Sequence, residues 1–198
     1  MTPKLRIAVA DDESDMRDFL ARMLPRCGHE VVSSARTGLE LVEHCRKFLP
    51  DLVITDIKMP ELDGIAASLK IYQERPVPVI LVSAYHDEAL IERAEADHVL
   101  AYMVKPITLV DLQPAISIAM RRFRELQSLR QECDDLRQAL NDRKIIEQAQ
   151  SVLMRIARID EKEALLRLQA LAVHENNKLI DASLHVIAME STFLPDAC

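Results

Sequence analysis

Short apolar runs alternate with helical patterns along the first part of the chain, and this alternation constrains the fold most strongly. The clearest run is Leu52–Ile54, which is rich in β-branched residues and leads into Thr55 and the carboxylate of Asp56. Such a run is typical of a strand buried on both faces. Turn residues follow at Met59-Pro60 and Asp63-Gly64. The sequence therefore predicts a buried strand with one carboxylate at its C-terminal end.

Four further runs have the same character, and helical patterns separate them. We predict strands over Leu5–Ala10, Glu30–Ser34, Pro78–Ser83 and Ala101–Val104, with helices over about Asp15–Arg26, Gly38–Phe48, Ile65–Gln73 and His86–Ala96. Ser14 is predicted to cap the first helix. Strands that alternate with helices form a parallel sheet with helices on both faces. Residues 1–120 are therefore predicted to form a five-stranded, parallel, doubly wound α/β domain.

Polar side chains stand at the C-terminal ends of these strands. Asp11 and Asp12 follow the first strand, Asp56 ends the third, Ser83 ends the fourth and Lys105 follows the fifth. These ends converge at one edge of a parallel sheet. Three carboxylates repel one another unless a hard divalent cation such as Mg²⁺ binds them, and a lysine and a hydroxyl can then hold a phosphoryl group. The spacing predicts a metal-assisted phosphoryl site with Asp56 as nucleophile, although each acid taken singly is more often a capping or surface residue.

The motifs of this part of the chain resemble the receiver domain of two-component response regulators over about residues 4–120. The residues that carry the resemblance are Asp11-Asp12-Glu13, Asp56 within Asp-Ile-Lys-Met-Pro, Asp63-Gly64, Ser83-Ala84, Tyr102 and Lys105-Pro106. The resemblance implies a flavodoxin-like fold and transfer of phosphate to Asp56 from a sensor histidine kinase. We therefore expect a regulator rather than an enzyme.

The resemblance also implies a magnesium site. Asp12, Asp56 and the backbone carbonyl of Lys58 are expected to ligate Mg²⁺, with Asp11 acting through a water molecule. Lys58 and Tyr85 occupy the two positions that influence hydrolysis in this family, and neither is a carboxylate or amide suited to orienting a water molecule. We hypothesise that the acyl phosphate hydrolyses slowly.

The implied switch uses three other side chains. Lys105 is expected to pair with the phosphoryl oxygens, Ser83 to hydrogen-bond to the phosphoryl group, and Tyr102 to follow it inward as an aromatic switch. The Lys105–Pro106 bond is usually cis in this family. The chain departs from the family at His98, where glycine is common.

A long helix is predicted beyond the α/β domain, because residues 115–158 contain neither Gly nor Pro. Five side chains follow the 3-4-3-4 spacing of a heptad seam: Leu126, Leu129, Cys133, Leu136 and Leu140. In that register Glu125 and Glu132 lie at g positions, where they can pair with Arg130 and Arg137 of a second copy. We predict a parallel homodimer through a coiled-coil connector over residues 121–141. The alternative is one amphipathic helix that packs on its own chain.

The remaining residues, 142–198, are predicted to form an all-α three-helix bundle. Apolar positions recur at helical spacing from Ile145 to Ile156, and Asp160 to Glu163 reads as a capping box that opens a second helix. A turn at 174–177 precedes a third helix from Lys178 to Met189.

This bundle is similar to the ANTAR output domain, an RNA-binding module of transcription antitermination regulators, over about residues 138–193. The similar residues are Asp142-Arg143-Lys144-Ile145-Ile146, Ala149, Leu153-Met154, Asp160-Glu161, Glu163-Ala164 and Asn176-Asn177-Lys178-Leu179. The similarity implies binding to RNA hairpins in leader transcripts. Candidate contacts to phosphates and loop bases are Arg143, Lys144, Gln150, Arg155, Arg158, Asn176, Asn177 and Lys178.

Two departures from the ANTAR pattern reduce the positive charge of this unit. Gln150-Ser151 stands where the family often has lysine and glycine, and Glu175 stands beside the Asn pair. A DNA-binding or protein-interaction output is therefore kept as the alternative.

The overall composition excludes several other classes of protein. The net charge is −7, with the acidic excess in the first 120 residues, so charge alone does not force binding to nucleic acid. No apolar run approaches the ~18 residues of a membrane span, and the N-terminus lacks a secretory pattern. The four cysteines have no CxxC spacing, so neither a zinc site nor a disulfide framework is indicated. We expect a cytoplasmic protein with no membrane contact.

Overall fold

The computed structural model describes residues 3–84 and 99–193 of the chain. The strands are β1 (Arg6–Ala10), β2 (Glu30–Ala35), β3 (Leu52–Asp56), β4 (Val79–Ser83) and β5 (Val99–Val104). The helices are α1 (Ser14–Arg26), α2 (Gly38–Phe48), α3 (Gly64–Glu74), α4 (Leu109–Ala157), α5 (Glu161–His174) and α6 (Leu179–Phe193). The helix predicted over His86–Ala96 lies outside the described residues. The chain divides into two compact units, Met1–Ser128 and Leu129–Cys198.

The five strands form one parallel sheet in the order β2-β1-β3-β4-β5, which confirms the predicted doubly wound fold. β3 lies in the middle, and all five of its residues are buried. Its register pairs Thr55 with Ala10 of β1 and Asp56 with Val82 of β4. Residues that follow β1 and end β4 therefore lie beside Asp56.

The sheet has an apolar layer on each face. Successive residues of β3 point to opposite faces of the sheet: Val53 packs in one layer, and Leu52 and Ile54 pack in the other. The first layer packs against α2 and α3, and the second against α1 and the beginning of α4. The core thus holds the sheet rigidly from both sides and fixes the strand ends that carry the polar residues.

Side-chain caps define the beginnings of three helices. Thr37, Asp63 and Asp160 cap α2, α3 and α5 by accepting a backbone N–H of the first turn. The cap predicted at Ser14 is wrong, because α1 begins at Ser14 itself and its N-cap residue is Glu13, which makes no side-chain cap. The Glu13 backbone N–H instead donates to the carboxylate of Asp11. The loop before α1 is therefore organised around the acidic residues.

The second unit is all-helical. The end of α4 packs with α5 and α6 around a small core of Ala149, Val152, Leu168 and Val186. α4 is one continuous helix from Leu109 to Ala157, as the absence of Gly and Pro beyond residue 114 predicted. None of the helices in the described ranges has the length and hydropathy that a membrane span requires.

The predicted seam is largely uncovered. Leu129, Leu136 and Leu140 are 58%, 59% and 62% exposed, and Cys133 is also exposed. Leu126 differs, since it is half-buried and packs against the core of the α/β unit. The exposed positions therefore present an apolar row that this chain does not itself bury.

Candidate functional site

Three carboxylates meet at the C-terminal edge of the sheet. Asp11 follows β1 and is 1% exposed, Asp56 ends β3 and is 6% exposed, and Asp12 is exposed. One carboxylate oxygen of each lies within 4.8 Å of the others. The parallel register brings these residues together, as the spacing of the strands predicted. A cluster of oxygen ligands of this kind suits a hard divalent cation.

Lys105 provides the counter-charge for this cluster. Its Nζ lies 2.9 Å from Oδ2 of Asp11, 3.3 Å from Oδ1 of Asp56 and 3.7 Å from a carboxylate oxygen of Glu13. The lysine side chain is only 13% exposed; the residue comes directly after β5, and a cis peptide bond joins it to Pro106. The ammonium group is therefore held between the two buried carboxylates.

Backbone amides orient the same two carboxylates. The N–H of Lys58 donates to Oδ2 of Asp56 at 3.0 Å, and the N–H of Glu13 donates to Oδ1 of Asp11 at 3.0 Å. The backbone of Asp56 is itself approached closely, because a Cβ added to Gly64 would lie 1.9 Å from the Asp56 carbonyl oxygen. The beginning of α3 therefore packs directly on the residue that carries the carboxylate.

The electrostatics of the cluster follow from burial. Burial raises the pKa of Asp56 to about 6, with Asp11 adding to the rise and Lys105 opposing it. Burial likewise raises the pKa of Asp11 against the opposing effect of Lys105. Burial alone would lower the pKa of Lys105, but its contacts with Asp11 and Asp56 outweigh that effect and raise it. The lysine thus remains cationic while the carboxylates favour a bound positive charge.

A cavity of about 170 Å³ opens beside these groups. It is lined by Asp12, Glu13, Asp56, Lys58, Ser83, Ala84 and Lys105. Ser83 is 4% exposed at the end of β4, and Tyr102 is half-buried on β5. The cavity has room for a phosphoryl group and an ion, and it is smaller than the pockets that enclose drug-sized ligands. Tyr85 and His98 lie outside the described residues.

The candidate RNA-contacting residues fall in two places in the second unit. Arg143, Lys144, Arg155 and Arg158 are exposed on or just after α4, and Asn176, Asn177 and Lys178 are exposed in the turn between α5 and α6. Asn176 has a φ of 54°, a left-handed conformation that asparagine tolerates well. Nε of Arg143 pairs with Glu147 at 2.7 Å.

Comparison with known proteins agrees with both parts of this description. The family model of the response regulator receiver domain matches residues 7–117, which is more than half of the chain. The chain belongs to the response regulator family. A second model, of the ANTAR domain, matches residues 134–187 of the same regulator. Both matched domains are regulatory.

Similar proteins cover most of the regulator. Transcriptional regulatory protein PdtaR of Mycobacterium tuberculosis is 39% identical over 168 residues, which cover 85% of this chain and 82% of PdtaR. The receiver domain of NarL from M. tuberculosis has a TM-score of 0.57 and 26% identity, covering 61% of this chain and 98% of that one. A response regulator receiver domain protein from Clostridium thermocellum has a TM-score of 0.56 and 31% identity, and the match covers 61% of this chain and 98% of that one.

One predicted RNA contact of the regulator is not available at its surface. Gln150 is 7% exposed, and its Nε2 donates to the backbone carbonyl of Glu161 at 3.4 Å. The side-chain amide faces the beginning of α5, so it makes its hydrogen bond inside the bundle. The burial of Gln150 therefore argues against the predicted RNA contact.

No role was predicted for Glu13 or Arg17 of the regulator. Glu13 belongs to the acidic loop, residues 11–13 between β1 and α1, and Arg17 contacts that loop from α1. Glu13 lies against Lys105, and Arg17 Nη1 donates to backbone carbonyls of that loop. The signal available for Glu13 was its position directly after two aspartates. For Arg17 the signal was a cation one helical turn beyond the loop.

Proposed function

We propose that this response regulator accepts a phosphoryl group on Asp56 from a histidine kinase and controls transcription by RNA binding and antitermination. The observation that carries the proposal is the buried Asp56 at the edge of a parallel sheet, beside Lys105 and two further aspartates. The same chain carries a receiver domain and an ANTAR domain. We propose domain limits at residues 1–120, 121–141 and 142–198.

Phosphoryl transfer would use the carboxylate of Asp56 as the nucleophile. One of its oxygens attacks the phosphorus atom of a kinase phosphohistidine; a P–O bond forms, the P–N bond breaks, and the histidine nitrogen leaves with its electron pair. Asp12, Asp56 and the Lys58 carbonyl would hold Mg²⁺, with Asp11 acting through water. When bound, Mg²⁺ supplies positive charge to the phosphoryl oxygens.

Three residues would report the modification to the rest of the fold. Lys105, which now bridges Asp11 and Asp56, would pair with a phosphoryl oxygen. The Ser83 hydroxyl would hydrogen-bond to the phosphoryl group, and Tyr102 would turn inward behind it. Phosphorylation then shifts an existing equilibrium towards the RNA-binding form.

The phosphorylated form is expected to be long-lived. Lys58 lines the cavity beside Asp56, and its side chain is exposed. An ammonium group cannot act as the base that orients a water molecule for hydrolysis. Decay of the acyl phosphate can be followed after removal of the phosphodonor, and loss within seconds would contradict the proposal.

The exposed seam supports a homodimer. Leu129, Cys133, Leu136 and Leu140 leave an apolar row on α4 in the described part of the chain. A second copy with the same row would bury it, and the charged pairs at its edges would favour the parallel direction.

The phosphorylation site can be tested with a small-molecule phosphodonor such as acetyl phosphate and Mg²⁺. Intact-mass spectrometry should show one added phosphoryl group on the unaltered chain and none on Asp56→Asn. Asp51→Asn is the matched control. Asp51 directly precedes the first residue of β3, at the end of the strand away from Asp56, and its Oδ2 accepts the backbone N–H of Arg6 at 2.8 Å. Phosphorylation of Asp56→Asn to the normal extent would refute the assignment.

RNA binding can be tested with paired-hairpin RNA, with and without beryllofluoride as the phosphoryl mimic. Arg143→Ala and Lys144→Ala should weaken binding, and the mimic should strengthen binding by the unaltered chain. Arg121→Ala is the control for Arg143, because Arg121 lies on the same helix and pairs with Glu125 as Arg143 pairs with Glu147. Equal binding to duplex DNA would favour the alternative output, and unchanged RNA affinity in both variants would refute the contacts.

A further inference from the structure

Arg17 holds the backbone of the acidic loop from the first turn of α1. One nitrogen, Nη1, donates to the carbonyl oxygen of Asp11 at 2.8 Å and to that of Asp12 at 3.0 Å. The arginine side chain is half-buried. It contacts neither carboxylate through these bonds, so its action on the site is through the main chain.

The two aspartates differ in how their side chains are held. The Asp11 carboxylate is fixed by Lys105 on one oxygen and by the Glu13 N–H on the other. Across residues 3–84 and 99–193, by contrast, the exposed carboxylate of Asp12 makes no hydrogen bond or ion pair. The carbonyl bond from Arg17 is therefore a contact that orders Asp12 before any ligand arrives.

We propose that Arg17 is a positioning residue that preorganises the acidic loop for a divalent cation; this rests on the metal site proposed above. A ligand binds more tightly when its partners are already ordered, because the entropy of ordering them is not lost on binding. With both carbonyls held, the Asp12 carboxylate stays within reach of Asp11 and Asp56. Without that restraint the loop must be ordered by the cation itself.

The charge of Arg17 acts in the opposite direction to its hydrogen bonds. A guanidinium beside the loop repels a divalent cation, so removing the charge alone would strengthen cation binding. Removing the hydrogen bonds alone would weaken it. The sign of the change in affinity therefore separates a positioning role from a purely electrostatic one.

The test is titration of the full chain with Mn²⁺, with binding followed by electron paramagnetic resonance of the free ion. Arg17→Met removes the charge and the hydrogen bonds while keeping a good helix former. We expect its Kd for Mn²⁺ to rise about three- to tenfold, the range for losing one or two carbonyl hydrogen bonds. Arg17→Lys keeps the charge but replaces the guanidinium by a single ammonium group, and its Kd should fall between those of Arg17→Met and the unaltered chain.

Arg22→Met is the matched control. Arg22 lies on the same helix, and its Nε donates to the carbonyl of Asp18 at 3.1 Å, away from the acidic loop. Its Mn²⁺ affinity should equal that of the unaltered chain, and metal-free thermal melts should show that the Arg17 and Arg22 variants are both folded at the temperature of the titration. Unchanged or tighter Mn²⁺ binding by Arg17→Met would overturn the role of Arg17. Failure of the metal site itself would look different, since the unaltered chain and Asp12→Ala would then bind Mn²⁺ equally.

Discussion

Lys105 shows how one residue balances the charge of the site. Its ammonium group contacts two carboxylates that are almost fully buried, and these contacts offset the cost of burying all three charges. The arrangement keeps two anionic side chains close together in the unphosphorylated protein. In the proposed mechanism the same lysine pairs with the phosphoryl group, which carries more negative charge than the carboxylate it modifies.

Replacement of Lys105 by methionine should destabilise the fold by about 2–4 kcal/mol, because two buried carboxylates lose their counter-charge. Urea unfolding in metal-free buffer measures the loss, and Mg²⁺ should restore part of it. Lys4→Met is the control: Lys4 pairs with Glu30 at 2.8 Å, but both side chains are at least half exposed. Its effect should stay below about 1 kcal/mol. Equal effects of the two substitutions would contradict the buried pairing.

His29 makes stability depend on pH. Its Nδ1 accepts the backbone N–H of Leu5 at 3.3 Å, so the ring is neutral, and burial lowers the pKa of His29 below its usual 6.5. The unfolded chain therefore binds the proton more readily than the folded chain does. Stability contributed by neutral His29 is present above about pH 6.5 and is lost as the pH falls towards the folded-state pKa.

The pH effect is measured by thermal melts between pH 8 and pH 5. His29→Asn should be less stable at pH 8, because it loses buried packing, but its stability should fall less between pH 7 and pH 5 than that of the unaltered chain. Parallel pH profiles for the two proteins would contradict the assignment.

At the scale of the elements, the beginning of α3 and the end of β3 depend on each other. Gly64 is the first residue of α3, and a Cβ there would overlap the Asp56 carbonyl oxygen and approach the Thr55 hydroxyl at 3.2 Å. The helix can therefore begin directly beside Asp56 only because Gly64 has no side chain. The turn that follows β3 is consequently part of the site as well as of the fold.

Gly64→Ala should destabilise the protein by about 2–4 kcal/mol, since backbone atoms have little freedom to move away. It should also slow phosphorylation of Asp56 by the small-molecule phosphodonor. Gly28→Ala is the comparison, because Gly28 has a φ of +86° but open space where a Cβ would lie. That change should cost about 1 kcal/mol and leave phosphorylation unaffected. A Gly64 variant as stable as the Gly28 variant would contradict the close packing.

Capping of α5 offers a separate test in the second unit. Oδ1 of Asp160 accepts the N–H of Glu163 at 2.8 Å, so Asp160→Ala should cost about 1 kcal/mol in the free energy of unfolding. Asp181→Ala, at an exposed position in the first turn of α6, should cost less, because it removes only a favourable interaction with the helix dipole. Urea unfolding that ranks the two variants in the opposite order would contradict the capping role.

The strands were predictable because their signals are local. Leu52–Ile54 is a continuous apolar run, and the parallel arrangement then brings Asp11, Asp56 and Lys105 to one edge without further information. The burial of Gln150 could not be predicted from such local signals. A polar residue on a helix is expected at the surface unless the residue that it contacts in the fold is known. The carbonyl contacts of Arg17 likewise depend on a side-chain rotamer and a loop backbone that no spacing specifies.

At the scale of the whole molecule, the exposed leucines of α4 are the residues on which the proposed homodimer depends. Side chains that are more than half exposed in one chain contribute little to its own stability. The same side chains buried between two chains would each contribute about 1.5–3 kcal/mol. Dimerisation would therefore stabilise the protein through side chains that contribute little to the stability of the single chain.

Leu136→Ser should weaken self-association by about tenfold or more, because both chains lose a seam side chain, while the thermal stability of the monomer changes little. Sedimentation velocity over a range of concentrations measures the change. Leu166→Ser is the control, since Leu166 is 52% exposed on α5 and lies outside the seam. A monomeric unaltered chain at every concentration would contradict the dimer.

The continuity of α4 has a consequence for exchanging parts between regulators. Residues 118–133, between the two family matches, all lie within one helix. Each inserted residue turns the following helix by about 100°, whereas seven residues return it to within about 20° of its starting direction. Hybrid proteins that join another receiver domain to this output unit should therefore keep the helical phase, with junction lengths that differ by sevens.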